Sequence, residues 1–464
     1  MRFILLLALA FVALPAAAQP LEDRVLAVLR SQGAGTRFGI VVAGGDGREV
    51  LAINADDRFV PASNTKMFTT AAVFDTLFNL DRPDDAGGTA LQMEGEDVVL
   101  DGRGDARLSS APDCARDCLV TLADAVMRER RQVRDVIGDD SLFADERWSP
   151  GMSWNNIPTA SGTGISALSI DDNEARLIVT PAAMPGAPPM VAGDGYFTIE
   201  NRATTVAAGQ PAVLGIDRLP MERRVRLSGT VAVGAEPRTL RLGIDDPAHY
   251  AAWRLAELLR RGGVRVTGTI RVRHREPAAP GPSRADLTRL SAPPLIDVLR
   301  MTNKDSQNLY AELLLRRVGL SKGVGSLAGG LTAIDTVMAK AGVPRWSYDF
   351  ADGSGMSSYN RVTPRAALAL LRWTVTQPWG AAWRATLPIG GIDGTLARRF
   401  KGTPLEGRIF AKTGSLDKAN ALAGFMTAAS GATLTFAIYA ADMPQSASAT
   451  KTIDAALNVI AAGL

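Results

Sequence analysis

A lysine-free segment of about 200 residues, from residue 84 to residue 283, divides the chain into parts of different texture. Within it, short aliphatic and β-branched runs alternate with Gly, Pro and Asp, which is typical of short strands joined by turns. It ends in a Pro- and Gly-rich linker at 277–283. The flanking parts have helical patterning and two closing strand-like runs. The sequence therefore predicts an α/β (α+β) domain formed by residues 19–83 and 284–464, interrupted by a mostly β insertion.

The N-terminus has the order of a secretory signal peptide. Arg2 precedes a 12-residue apolar run, and small residues follow up to Ala18. This run is shorter than the roughly 20 apolar residues that a membrane-spanning helix needs. We therefore expect residues 1–18 to be a signal peptide cleaved near Ala18–Gln19, and the mature chain to be exported to the periplasm without an integral membrane anchor.

Charge and composition exclude several functional classes. The 51 basic and 48 acidic residues nearly balance, which argues against a dedicated nucleic-acid binder. With two His and two Cys, a His-based triad or a Cys/His zinc site is disfavoured, and we expect no metal and no cofactor. The two cysteines, Cys114 and Cys118, are candidates for a small-loop disulfide in an exported protein, with free thiols as the alternative.

A hydrolase without a usable His needs another base, and a buried lysine can serve because burial lowers its pKa. Ser63-Asn64-Thr65-Lys66 places a hydroxyl and an amine one helical turn apart, at a helix start whose backbone N–H groups suit an oxyanion. The pattern alone is weak, because Ser415 and Ser448 also precede a lysine by three residues. On this pattern alone, a helix-capping serine beside a solvated lysine is the favoured interpretation.

Two further motifs carry groups that could complete such a site. Ser306-Gln307-Asn308 offers a hydroxyl to relay a proton and an amide to orient a substrate, although helix capping is an alternative. Lys412-Thr413-Gly414-Ser415 precedes the closing strands and is predicted on an inner strand. There a cation and a hydroxyl could bind an anionic substrate end, and the N–H groups of Ser415 and Ser63 could form an oxyanion hole.

Taken in this order, the three motifs resemble those of the serine penicillin-binding proteins and β-lactamases. Ser306 follows Ser63 by 243 positions, and this long separation resembles the exported D-alanyl-D-alanine carboxypeptidase/endopeptidase subgroup, which carries a large insertion there. Further stretches similar to this subgroup occur over nearly the whole mature chain: Gly104–Asp105 with Leu108–Ser110, Gly138–Phe143, Ser166–Ile170 with Asp172–Glu174, Asp352–Ser357 and Leu387–Thr395. Trp154-Asn155-Asn156 departs from it, with amides where relatives often place an acidic residue.

The resemblance implies a transpeptidase/β-lactamase-like domain in which an antiparallel sheet of five strands is flanked by helices. It also implies two subdomains nested in the insertion, about 84–175 with 255–283 and about 176–254. The implied enzyme is a serine DD-peptidase that acts on peptidoglycan stem peptides and is acylated by β-lactam antibiotics. Its implied catalytic residues are Ser63, Lys66, Ser306, Asn308 and Lys412, with Thr413, Gly414 and Ser415 binding substrate.

Two alternatives use the same motifs. A β-lactamase or esterase would share the chemistry and differ in how fast water releases the acyl-enzyme. A wall-binding or sensor protein would use the fold as a receptor, and its expected signature is loss of Ser63, Lys66 or Lys412, all of which are present.

Overall fold

The computed structural model describes residues 19–275, 285–445 and 447–464. The predicted signal peptide and the linker at 277–283 therefore lie outside the described residues. The helices of the described residues are α1 (Leu21–Arg30), α2 (Thr65–Thr76), α3 (Leu119–Glu129), α4 (Pro247–Arg261), α5 (Leu295–Lys304), α6 (Asn308–Gly319), α7 (Leu327–Lys340), α8 (Pro364–Val375), α9 (Gly380–Ala385) and α10 (Thr450–Gly463).

The strands, most of them short, are β1 (Arg37–Ala43), β2 (Glu49–Ile53), β3 (Ala90–Glu94), β4 (Asp97–Asp101), β5 (Gln132–Val133), β6 (Val136–Asp139), β7 (Glu174–Thr180), β8 (Met190–Ala192), β9 (Thr198–Asn201), β10 (Thr204–Val206), β11 (Leu214–Asp217), β12 (Arg224–Ala232), β13 (Arg238–Gly243), β14 (Arg265–Val266), β15 (Ile270–Arg273), β16 (Thr288–Arg289), β17 (Tyr348–Asp349), β18 (Arg361–Val362), β19 (Ile409–Leu416), β20 (Ala419–Thr427) and β21 (Thr433–Ala441).

A five-stranded antiparallel sheet, in the order β19-β20-β21-β1-β2, forms the centre of the part outside the insertion. Side chains alternate between its faces along β1. Ile40 and Val42 pack with α1 and α10, whereas Val41 and Ala43 face the cluster formed by α2, α6, α7 and α8. Because both faces are covered, the strands are apolar on both sides, and β20 is buried over nearly its whole length.

The insertion contains a second five-stranded sheet, β15-β6-β4-β3-β16, and smaller sheets built from β7 to β13. Helices α3 and α4 also belong to this region and pack into one core with β3, β4 and β6. Two of the predicted boundaries cut through elements, residue 175 in β7 and residue 254 in α4. Since α4 packs on β6 and β15 while β13 pairs with β7, the smaller subdomain begins with β7 and ends with β13.

At its far end, the insertion sheet reaches past the predicted boundary at residue 283. Strand β16, Thr288–Arg289, pairs with β3, and Asp84 bridges to Ala292. The Pro/Gly-rich composition marked a linker, but it gave no signal that two residues beyond it complete a sheet edge. The chain therefore leaves the insertion and returns to the flanking domain near Ala292, not at residue 283.

One prediction about the site strand is wrong. The Lys412-Thr413-Gly414 motif was expected on an inner strand, but β19 is the edge of the central sheet. The expectation rested on the position of the motif before the two closing strands, but β20 pairs with only one side of β19, and the turn at Ser63 packs against the strand. The outer edge of β19 is thus open beside the motif.

Two further observations concern the described residues. Cys114 and Cys118 are joined in a disulfide within the insertion. Across residues 19–275, 285–445 and 447–464, no helix has the length and apolarity needed to cross a bilayer.

Candidate active site

Ser63 lies in a single 3-10 turn, Ala62–Asn64, directly before α2, and Lys66 lies in the first turn of that helix. The turn is strained at Ala62, whose φ of 48° is left-handed. Ser63 remains partly accessible, whereas Lys66 is fully buried. The Nζ of Lys66 lies 3.0 Å from the Oγ of Ser63, within hydrogen-bond reach.

Two other acceptors fix the amine of Lys66. Its Nζ donates to the Oδ1 of Asn308 at 2.7 Å and to the carbonyl oxygen of Ser354 at 2.6 Å. The Nδ2 of Asn308 donates to the carbonyl of Ser161, which orients the amide with its oxygen toward Lys66. A neutral amine has two N–H groups and one lone pair, so two donated bonds leave the lone pair for Ser63.

Burial lowers the pKa of Lys66 to about 7, and the nearby carboxylates of Asp352 and Glu312 oppose this shift. Burial also raises the pKa of Glu312, which accepts hydrogen bonds from the backbone N–H groups of Gly353 and Ser354. The neutral form of Lys66 is consequently well populated near neutral pH, as a general base requires.

Ser306 and Asn308 approach from the junction of α5 and α6. Ser306 has a left-handed φ of 61°, a conformation that costs a non-glycine residue free energy and that turns its side chain into the cleft. The Nζ of Lys412 donates to the Oγ of Ser306 at 2.9 Å and to the carbonyl of Thr413 at 3.1 Å. The second motif is thus hydrogen-bonded to both of the others.

Strand β19 lies against the turn that carries Ser63. The Nδ2 of Asn64 donates to the carbonyl of Lys412 at 2.8 Å. A Cβ on Gly414 would overlap the carbonyl oxygen of Pro61, so this close approach needs glycine. Ser415 is exposed at the end of the motif and accepts a hydrogen bond from Asn420 on β20.

Lys412 is the second fully buried lysine of the site. Burial and the neighbouring Lys66 lower its pKa well below the usual value for lysine, while Asp305 opposes the shift. Two amines that share one buried cleft repel each other when both are charged. An anion that binds there would restore the charge on Lys412.

Several groups at the site escaped the sequence analysis. The carbonyls of Ser354 and Ser161, the buried carboxylate of Glu312 and the hydroxyl of Thr395, 2.8 Å from that of Thr413, all contribute to it. A backbone carbonyl leaves no trace in a residue pattern. Ser354 and Thr395 lie in the stretches 352–357 and 387–395, which resemble the family. That resemblance marked the two stretches but indicated no role for any of their residues.

Metal ligands are absent from this arrangement: in the part of the chain that the structure describes, no three His, Cys, Asp or Glu side chains cluster to hold an ion. The five candidate side chains form two hydrogen-bonded groups, Ser63 with Lys66 and Asn308, and Ser306 with Lys412.

A serine hydroxyl beside a buried amine, at the edge of a helix-flanked antiparallel sheet, is the arrangement expected for the class of the serine penicillin-binding proteins and β-lactamases. Residues 22–464 match the family model described as D-Ala-D-Ala carboxypeptidase 3 (S13). The chain belongs to this family. The fold class and the enzyme class expected from the sequence are thereby confirmed.

Known proteins resemble the chain over most of its length. The D-alanyl-D-alanine carboxypeptidase of Actinomadura sp. (strain R39) is 32% identical over 416 residues, which cover 83% of this chain and 74% of that protein. The crystal structure of penicillin binding protein 4 from Haemophilus influenzae superposes with a TM-score of 0.80 at 23% identity, covering 94% of this chain and 97% of the other. A structure of that protein complexed with a β-lactam gives a TM-score of 0.74 at 22% identity, with the same coverage.

Proposed function

We propose that this carboxypeptidase removes the terminal D-Ala from peptidoglycan stem peptides, and cleaves D-Ala cross-links between them, through an acyl-enzyme on Ser63. The Oγ of Ser63 attacks the carbonyl carbon of the penultimate D-Ala, and its proton passes to the neutral amine of Lys66. The C–N bond then breaks, and the departing amine takes a proton relayed by Ser306, whose hydroxyl is bonded to Lys412. Water hydrolyses the ester and restores the Ser63 hydroxyl.

Lys66 is suited to the role of base by its hydrogen bonds. Asn308 and the Ser354 carbonyl accept its two N–H groups, so its lone pair faces Ser63 at 3.0 Å. Its pKa of about 7 lies near the pH at which such an enzyme works, which is where a general base is most effective.

The open edge of β19 suits an extended peptide. A substrate strand that pairs with residues 413–415 would place its carbonyl beside Ser63, where the N–H groups of Ser63 and Ser415 would hold the oxyanion. Gly414 permits this close approach. The substrate carboxylate would then meet Lys412 and Thr413, and its negative charge would raise the lowered pKa of Lys412.

Penicillin acylation and location follow from the same proposal. A β-lactam presents a strained amide and a carboxylate to the groups that bind D-Ala-D-Ala, and the similar fold of penicillin binding protein 4 has been crystallised with a β-lactam. The apolar residues 3–14 would direct export, so that the mature enzyme meets its polymeric substrate in the periplasm. In this scheme Thr413, Gly414 and Ser415 bind substrate, and Cys114–Cys118 stabilises the insertion.

The observation that carries the proposal is that the Oγ of Ser63 and the Oδ1 of Asn308 both lie within hydrogen-bond distance of the amine of Lys66. In a direct test, mature protein and a Ser63→Ala variant are incubated with labelled penicillin and with a muropeptide ending in D-Ala-D-Ala. We expect stoichiometric labelling and D-Ala release for the parent, and neither for the variant.

Ser448→Ala is the matched control, because Ser448 also precedes a lysine by three residues but bonds to Asn420 and Thr450. It should label normally. Labelling of Ser63→Ala at the parental stoichiometry would exclude Ser63 as nucleophile. Rapid turnover of nitrocefin, with no long-lived acyl-enzyme in intact-protein mass spectra, would instead favour the alternative of a β-lactamase.

A further inference from the structure

The stretch Leu387–Thr395 resembled relatives in sequence, and the structure places its last residue at the substrate-binding motif. Thr395 lies in a 3-10 turn, Gly394–Leu396, and its side chain is exposed. Its Oγ1 lies 2.8 Å from the Oγ1 of Thr413, which follows the buried Lys412 on β19. Two hydroxyls thus stand side by side at the end of the cleft where an anionic substrate end would bind.

The segment 388–396 is attached to β19 by backbone hydrogen bonds. The N–H of Ala411 donates to the carbonyl of Pro388 at 3.0 Å, and that of Gly390 donates to the carbonyl of Ile409 at 2.9 Å. This pairing covers the start of the strand and leaves the edge at 413–415 open. Thr395 and Thr413 are therefore held by the same strand.

A second attachment joins the segment to α5. Lys304 forms an ion pair with Asp393, whose other oxygen accepts the N–H of Ile389 at 2.8 Å. Gly394 has a φ of 55°, and a Cβ there would overlap the carbonyl of Lys304. Since Lys304 lies two residues before Ser306, the segment is tied to the backbone that also carries the proton-relay hydroxyl.

We propose that Thr395 is a further substrate-binding residue, which donates a hydrogen bond to the substrate's terminal carboxylate beside Thr413, and that the Lys304–Asp393 ion pair positions it. This inference rests on the proposed function. Two hydroxyls bonded to each other use only one of their two hydrogens. A carboxylate offers two acceptor oxygens, so it can take a hydrogen bond from each, above the amine of Lys412.

The test uses two D-alanyl thioesters that differ in the leaving thiol, which is mercaptoacetate in one and mercaptoacetamide in the other. Thr395→Val keeps the β-branched shape and removes the hydroxyl. Because a hydrogen bond to a charged group contributes about 1.5–3 kcal/mol, kcat/KM for the carboxylate thioester should fall about 10- to 100-fold. The rate with the carboxamide thioester should change little, and Thr395→Ser should restore the preference for the carboxylate.

Asp393→Asn tests the positioning. It keeps an acceptor for the N–H of Ile389 but removes the charge that binds Lys304. We expect a smaller loss of carboxylate preference than in Thr395→Val, mainly through KM, with the carboxamide rate unchanged. A residue that only supported the fold would lower both rates equally.

The outcomes separate this inference from the function beneath it. If the parent neither hydrolyses a D-Ala-D-Ala peptide nor is acylated by penicillin, the proposed function fails. If the parent is active but Thr395→Val retains the parental ratio of the two thioester rates, or loses both rates equally, only the role of Thr395 is overturned.

Discussion

At the scale of single residues, the site depends on two lysines that have lost contact with water. Lys66 and Lys412 are fully buried. The amine of Lys66 is hydrogen-bonded to the hydroxyl of Ser63, and that of Lys412 to the hydroxyl of Ser306. Burial removes hydration from the charged form, so the pKa of both amines is lowered. The same burial suits Lys66 to its proposed role as a base, and it means that an anion bound nearby would favour the charged form of Lys412.

The pH dependence of acylation follows from the lowered pKa of Lys66. The active form is the neutral amine, whose population falls as pH drops below about 7. We therefore expect kcat/KM for the carboxylate thioester to decline through an acidic limb centred near pH 7, with about a tenfold loss per pH unit below it. Stopped-flow rates between pH 5 and pH 9 would measure this limb.

The carboxamide thioester serves as the control in that titration, since its leaving group brings no negative charge to Lys412. An acidic limb at the same pH for both substrates assigns it to the base. A profile that stays flat from pH 5 to pH 9 would rule out Lys66 as the titrating group.

The sequence alone predicted the five candidate side chains of the site, but not the groups that orient them. Ser63, Lys66, Ser306, Asn308 and Lys412 carry recognisable chemistry at distinctive spacings, and they lie together in the structure. The Ser354 carbonyl and the carboxylate of Glu312 act through their place in the fold. Ser354 lies in a loop and Glu312 in α6, far from Lys66 in the sequence. No local sequence pattern indicates that these segments meet.

At the scale of elements, the site is a contact between a turn and an edge strand. The turn Ala62–Asn64 rests on β19 through the hydrogen bond from Asn64 to Lys412 and through the close approach of Gly414 to Pro61. Gly355 crosses on the other side, where a Cβ would overlap the carbonyl of Ala62. The turn that carries Ser63 therefore lies between two glycines, and a side chain on either one would displace it.

Gly414→Ala should separate β19 from the nucleophile turn. The added Cβ would meet the carbonyl of Pro61, which is backbone and cannot turn aside. Since a displacement of about 1 Å can cost about a hundredfold in rate, we expect a loss of that order in the rate of penicillin acylation. Quench-flow labelling followed by mass spectrometry would measure it.

Gly215→Ala, on strand β11 of the insertion, is the matched control. Its Cβ would lie 3.4 Å from the Oγ of Ser228, an atom that can move. It should acylate at the parental rate. Parental acylation of a correctly folded Gly414→Ala variant would show that the contact between strand and turn does not set the geometry.

The elements themselves were largely predictable where periodicity is strong. The amphipathic pattern of residues 21–31 and the apolar run 64–80 each predict a helix, and these helices are α1 and α2, although α2 ends at Thr76 because Leu77 is extended. Two apolar stretches on either side of Gly44–Gly47 predict a hairpin, which β1 and β2 form. The position of β19 in the sheet was not predictable, because an edge strand covered on both faces has the same apolar pattern as an inner one.

At the scale of the whole molecule, the insertion is tied to the helix that carries part of the site. Arg317 on α6 forms an ion pair with Asp84, where the insertion begins, and donates to the carbonyl of Arg103. The hydroxyl of Tyr310, also on α6, donates to Asp172. Ser161 of the insertion accepts from Asn308. The insertion thus contacts α6 from its first residue to its last turn.

Arg317→Met should destabilise the protein strongly. The side chains of Arg317 and Asp84 are 6% and 10% exposed, so the variant leaves a carboxylate with little access to water. Breaking such a buried pair costs about 3–5 kcal/mol in the free energy of unfolding. Urea denaturation would measure this loss, and the double variant with Asp84→Asn should lose less than the sum of the single losses.

Arg300→Met provides the comparison, because Arg300 and Asp297 form a pair whose side chains are 51% and 41% exposed. Its cost should stay below about 1 kcal/mol. Equal costs for the two variants would mean that the contact between α6 and the insertion contributes no more than a surface pair.

The composition of the sequence indicated a strand-rich insertion, but it did not indicate where the subdomains of that insertion begin and end. The change in composition at residue 84 marked the start of the insertion. However, β16 lies beyond the predicted limit at residue 283 and pairs with β3, and α4 spans the predicted limit at residue 254 and packs on β6 and β15. An amphipathic helix reveals that it has a buried face without revealing which sheet covers it. Only the three-dimensional pairing assigns such an element to one subdomain.

The order of strands in the central sheet has a consequence for timing. Strand β1 leaves the ribosome early, yet the three strands that complete its sheet, β21, β20 and β19, come more than 360 residues later. Lys412 is consequently synthesised long after Ser63, when the chain is almost complete. In the proposed mechanism, a nascent or partly translocated chain would be inactive, because the turn that carries Ser63 lacks Lys412 until these two distant segments of the polypeptide pack together.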